Sequence, residues 1–197
     1  MPPTERPPLV PAGFPRRALI ALLLLDLVLR VGTSLSRVDE YFSEGLVRGA
    51  LTEAWLEGAP VWPSEAPQPP HIRGSVVMRA IALPFFKLLG PSTFAIRVGG
   101  IVFHLITLGT VMLLVHRFFG RRAATAAGAL FVLAPPALAK IAVLSYGDHF
   151  ESLPFIFGTA WLALSWCADT SGRRAGLAFG AGVVAGLGVG WHAQARL

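Results

Sequence analysis

Cysteine is almost missing from this chain, with a single residue, Cys167, in 197. One thiol forms no internal disulfide, and without a Cys/His cluster there is no structural zinc, so both staples of small domains are excluded. Charge is the second scarcity: only 14% of residues are Asp, Glu, Lys or Arg, against about 25% in an ordinary soluble domain. Low charge together with 54% hydrophobic residues excludes intrinsic disorder, which needs the reverse composition. A phosphate-cradling Gly-rich loop, a nucleophile elbow and a zinc-protease helix motif are missing too. The net charge of +6 does not mark a nucleic-acid binder, because the basic residues are not gathered on one face with aromatics between them. They punctuate long apolar runs, the layout of a membrane protein that keeps Arg and Lys in its cytoplasmic loops.

Residues 1–17, MPPTERPPLVPAGFPRR, are Pro-rich, cannot hold a helix and end in Arg16 and Arg17. Residues 18–34 then form an apolar run of about the length that crosses roughly 30 Å of hydrocarbon. No small-residue cleavage site follows it, so it reads as a retained first span with residues 1–17 in the cytoplasm. Further apolar stretches cover about 95–115, 123–144, 153–168 and 175–191. The segment of about 35–94 differs. Residues 41–56 put Phe42, Leu46, Val47, Ala50, Leu51, Ala54 and Trp55 at helical spacing, with Glu44, Arg48, Thr52 and Glu53 mostly on the other side. This predicts a helix lying in the membrane interface. After the Pro-rich GAPVWPSEAPQPP, residues 76–89 form a second apolar run that reaches only about 21 Å as a helix.

Loop charges decide whether that second run crosses. If it does, Arg117, Arg121, Arg122, Arg173 and Arg174 fall outside the cell. If it lies on the surface, they fall inside with the amino-terminal arginines, in keeping with the positive-inside rule. The expected fold is therefore an all-α integral membrane bundle of about five transmembrane helices, with two juxtamembrane amphipathic helices in the first outer loop.

This topology brings two acidic clusters to the outer face, Asp39 and Glu40 in SRVDEYFSE, and Asp148 and Glu151 beside His149 in SYGDHFES. Carboxylates at a water-facing surface near Arg37, His71 and Arg73 serve as general bases or metal ligands. For Asp39 and Glu40 the competing role is to cap the following helix. For the second cluster it is a solvated turn made at Gly147. Asp26 and Arg30, at i and i+4 inside the first span, share a face and can pair. Such a pair is either functional or ties the span to its neighbours. His104 suits an interhelical hydrogen bond. Lys140 snorkels to the interface or meets a lipid phosphate. Pro135 and Pro136 predict a kink in the third span, and the glycines of GLAFGAGVVAGLGVG allow close helix approach.

The order of these elements resembles a known superfamily. A span, the Asp39–Glu40 pair, a long outer loop with Pro69–Pro70 before its second helix, then LLGPSTFAIRVGG and HRFFGRRAATAAGALFVLAPP, looks like the start of a C-type membrane glycosyltransferase. The similarity runs from about Ala18 onward and is nearest to the family 39 enzymes, which include protein O-mannosyltransferases and the aminoarabinose transferases of lipid A. The resemblance implies inverting transfer of a sugar from a polyprenyl-phosphate donor to a glycan, lipid or protein acceptor at the outer face of a bacterial inner membrane. Asp39 then matches the catalytic acidic position, Glu40 completes the pair, and Asp148 matches the acidic position of the second outer loop. Arg97 matches an arginine at the start of the second span, with a structural or donor-facing role. His71, Arg73 and Lys140 are candidates to stabilise the leaving phosphate, and His149 and Glu151 to line the site. No cofactor is required beyond, at most, a divalent metal. The family commonly has eight or more spans, so a chain ending in GWHAQARL resembles an amino-terminal piece, residues 18–197 being the glycosyltransferase-like module. The alternative is a non-catalytic membrane protein that binds a polyprenyl lipid or partner subunit. A transporter is disfavoured by the lack of an inverted repeat.

Overall fold

The structure, a computed structural model, describes residues 13–36, 43–59, 75–143, 150–169 and 172–191. These residues form seven helices and no strand: α1 (Arg16–Ser36), α2 (Ser43–Leu56), α3 (Ser75–Leu89), α4 (Thr93–Val132), α5 (Pro136–Val143), α6 (Leu153–Ala168) and α7 (Arg174–Trp191). Two of them, α1 and α4, are long and apolar enough to cross a membrane by length and composition.

The second predicted span and the first part of the third lie within α4, the rest of the third falling on α5, and the break expected between the two spans falls at Gly120, where φ is 78° and ψ −174°. A positive φ is cheap only for glycine, and here it turns the helix back on itself. Three contacts between the limbs, 93–119 and 121–132, record the reversal. The His104 ring stacks on Phe131 with centroids 4.6 Å apart. Leu108, Met112 and Val132 share one apolar cluster with Leu19, Leu22 and Leu23 of α1. Gly128 is the point of closest approach, since a Cβ there would stand 2.7 Å from Met112 Sδ and 2.9 Å from Leu22 Cδ1.

The kink expected at the two prolines is a complete break. Limb two stops at Val132, and α5 begins at Pro136. α1 runs antiparallel to limb one. Phe14 meets the His116 ring edge-on at 5.1 Å at one end, and Arg97 Nη1 donates to the Ser34 carbonyl at 2.8 Å at the other. Arg16 and Arg17 therefore share an end of the bundle with Arg117, Arg121 and Arg122. α2 and α3 pack at the opposite end, where Ala82, Phe86 and Ala95 are buried with Leu56 and Ile96 against them. α6 and α7 form a second antiparallel hairpin, with Gly158 against Val184 and Gly180 against Leu162.

Polarity is inverted relative to a water-soluble bundle. In α1 the buried residues are Asp26, Arg30 and Ser34, while Leu24 and Val28 are 58% and 67% exposed. An amphipathic helix in water shows the opposite pattern. α2 repeats the inversion: on the side expected to carry Glu44, Arg48, Thr52 and Glu53, Arg48 and Thr52 are buried, whereas Leu46 and Val47 of the apolar side are exposed. Periodicity separates the two sides as expected, and the rest of the protein packs against the side of Arg48 and Thr52.

Gly128→Leu forces Met112 and Leu22 out of contact and should destabilise the protein by about 1–3 kcal/mol, the usual cost of overpacking. Gly182→Leu, at a position with nothing within 4 Å of its Cβ, should unfold like the parent. Thermal denaturation in detergent, followed by circular dichroism, distinguishes the two.

Candidate functional site

The polar stripe of α1 begins the site. Asp26 and Arg30 lie one helical turn apart, and Arg30 Nε donates to Asp26 Oδ1 at 3.1 Å, both side chains being buried. The second carboxylate oxygen, Oδ2, approaches His104 Nε2 of α4 at 3.2 Å. The two atoms are in contact without hydrogen-bond geometry. The His104 ring stacks on two phenylalanines, Phe131 at 4.6 Å and Phe150 at 5.1 Å, whose own centroids lie 6.4 Å apart.

Arg30 makes a second bond, from Nη2 to the Val132 carbonyl at 3.1 Å. Its cause can be read from the chain. In an uninterrupted helix the carbonyl of residue 132 accepts the N–H of residue 136, but that residue is Pro136, which has none. A buried carbonyl without a donor is costly, and the guanidinium, with five donors in a rigid fork, supplies one while still holding Asp26. Arg97 does the same service at the end of α1. The last carbonyls of a helix lack internal partners, and Arg97 bonds that of Ser34.

Asp39, Glu40, His71, Arg73, Asp148 and His149 lie outside the described residues. Glu151 is 1% exposed, in the turn after Phe150, and so beside the His104 stack. Lys140 is half-buried in α5. Among the described residues no group of three or more His, Cys, Asp or Glu is arranged to hold a metal ion. The described residues flanking the two acidic segments, Ser36 and Phe150, both stand well away from the Gly120 turn, toward the half of the bundle where α4 begins.

The buried cluster is closed to solvent, Asp26, Arg30 and His104 being at most 2% exposed. It has no open face for substrate, and what it can do is hold α1, both limbs of α4 and the turn before α6 in one register. Sequence reasoning found the Asp26–Arg30 pair and missed that His104 converges on it; the interhelical hydrogen bond expected of His104 is not formed, its contacts being the Asp26 carboxylate and the two phenylalanine rings. It missed the Val132 bond as well, although Pro135–Pro136 already announced carbonyls in want of a donor.

Arg30→Met leaves the Asp26 carboxylate without its cation and the Val132 carbonyl without a donor. A loss of about 3–5 kcal/mol is expected, as for other broken buried pairs. Asp26→Leu combined with Arg30→Met removes both charges and should recover most of that loss, except the share of the orphaned carbonyl, about 1–3 kcal/mol. Equilibrium unfolding of both variants in detergent checks the ordering.

Searches for similar proteins add no relative to this geometry: no protein-family model, no curated protein and no solved structure matches the chain.

Proposed function

We propose that the chain is a membrane glycosyltransferase, or the amino-terminal module of one, which transfers a sugar from a polyprenyl-phosphate donor to an acceptor at the outer face of the membrane. The observation that carries this reading is the order of acidic and apolar segments: Asp39–Glu40 directly after α1, and Asp148 directly before α6. It is supported by the position of the flanking residues Ser36 and Phe150, away from the arginine-bearing Gly120 end. The spans in this reading are α1, the first limb of α4, the second limb continued by α5, then α6 and α7. At 16 and 18 residues, α6 and α7 reach about 24 and 27 Å as helices, close to the roughly 30 Å of the hydrocarbon core. The exposed faces of α1 and α2 carry the leucines and valines that lipid requires.

In the reaction, the Asp39 carboxylate takes the proton of the acceptor hydroxyl or amine as that atom attacks the anomeric carbon. The bond from that carbon to the phosphate oxygen breaks, with inversion, and the polyprenyl phosphate leaves with the electron pair. Glu40 orients the base or the acceptor. His71, Arg73 and Lys140 offer positive charge to the departing phosphate, the kind of contribution worth most where water is excluded. A positioned general base supplies typically 10² to 10⁴-fold, and alignment of donor and acceptor supplies the rest. The acidic segments face outward in this topology, and the Arg121 loop faces the cytoplasm.

Asp39→Asn should abolish sugar transfer from a polyprenyl-phosphate donor in reconstituted membranes while leaving the thermal unfolding midpoint unchanged. Turnover equal to the parent in that variant refutes Asp39 as the base. A protease-cleavable tag inserted after Gly120 should be cut only when the cytoplasmic side is opened. Cleavage in intact cells reverses the topology.

A further inference from the structure

The Gly120 fold-back has a chemistry of its own that sugar transfer does not use. Its sequence is HRFFGRR. Phe118 and Phe119 are 52% and 75% exposed, their rings meeting edge-on at 6.5 Å. Arg121 and Arg122, directly after the turn, are exposed, as are Arg16 and Arg17 at the start of α1. The Phe14–His116 contact brings these two segments, about a hundred residues apart in sequence, to one end of the bundle. None of these four guanidinium groups makes an ion pair or side-chain hydrogen bond among the described residues. The arginines of the α6–α7 turn differ. Arg174 Nε donates to the Asp169 carbonyl at 2.9 Å, and the Arg173 guanidinium lies 3.7 Å from the Asp169 carboxylate.

We propose that the Gly120 turn and the start of α1 together form a docking surface for the phosphodiester headgroups of anionic phospholipids, with Phe118 and Phe119 inserted beside them. Guanidinium groups suit phosphate because they offer paired, in-plane donors. Basic residues at a bundle end lie within reach of an anionic leaflet, whose potential decays over a Debye length of about 8 Å. Exposed phenylalanine rings have no favourable partner in water. At the boundary between headgroups and acyl chains they bury their faces while the neighbouring arginines stay at the phosphates. The second limb of α4 starts at this turn and its far end supplies the Val132 carbonyl held by Arg30, so lipid bound here anchors the hairpin that the buried cluster locks.

The full-length chain, purified in detergent, is equilibrated with mixed micelles of phosphatidylglycerol and phosphatidylcholine, and the lipid retained is measured by native mass spectrometry. Phosphatidylglycerol is expected to be enriched over the bulk ratio, and the enrichment to vanish in high salt. Arg121→Gln with Arg122→Gln should lower it by roughly tenfold, with helical content unchanged by circular dichroism. Arg16→Gln with Arg17→Gln keeps the test decisive if the first pair fails to fold, and should also lower it. Enrichment equal to the parent in a folded variant overturns the proposal. So does an equal loss when inorganic phosphate is added at unchanged ionic strength, which would mark a site for free phosphate. Lipid retention is read without any sugar donor, so its outcome is independent of whether the chain transfers sugar.

Discussion

The Asp26 carboxylate is the group around which the described helices are arranged. One oxygen holds Arg30, and the other faces His104. Arg30 in turn holds the carbonyl that Pro136 leaves without a donor. Remove the carboxylate and Arg30 becomes a buried cation with only a carbonyl for company. Remove the guanidinium and both an anion and a carbonyl are stranded. A buried pair is rarely a net source of stability against an apolar substitute, because desolvation offsets most of its attraction. Its value here is register: the three groups meet in one relative setting of α1 and the α4 hairpin. A one-turn slip of α1 would separate them by about 5.4 Å.

That constraint explains the inverted polarity. With the polar stripe of α1 committed to the interior, its leucines and valines must face outward, and α2 follows the same pattern with Arg48 and Thr52 inside. Such a surface is stable against lipid tails, which solvate apolar side chains, and unstable against water. Between the helices, small residues and stacked rings replace a large aliphatic core. Gly128 lets the second limb approach both the first limb and α1, and Phe131 and Phe150 both stack on His104.

The two ends of the bundle carry different chemistry. Toward the start of α4 stand α2, α3 and the residues bordering the acidic segments. At the Gly120 end stand exposed arginines and phenylalanines. In the proposed reading, the carboxylate base stands away from the arginines that meet the lipid leaflet, and separation along the helix axes serves both roles.

Much of this was legible beforehand because it depends on local pattern. Apolar run lengths foretold α1, α6 and α7 to within about two residues at each end, the gap between the apolar stretches at 95–115 and 123–144 with its arginines foretold the reversal in α4, and Pro135–Pro136 foretold a bend where the helix breaks before α5. The i, i+4 spacing foretold the Asp26–Arg30 pair. The candidate catalytic segments rested on resemblance and charge, and of those residues Arg97, Lys140 and Glu151 are described. Tertiary structure alone decided which face of α2 turned inward, because periodicity sets the two faces of a helix but not the solvent each one meets. It alone decided that His104, Asp26 and the Val132 carbonyl converge, because they come from chain segments up to a hundred residues apart. Local spacing carries no information about such distances. Only the packing of α1 into the α4 hairpin brings an imidazole to the carboxylate of this pair and an orphaned carbonyl to its arginine.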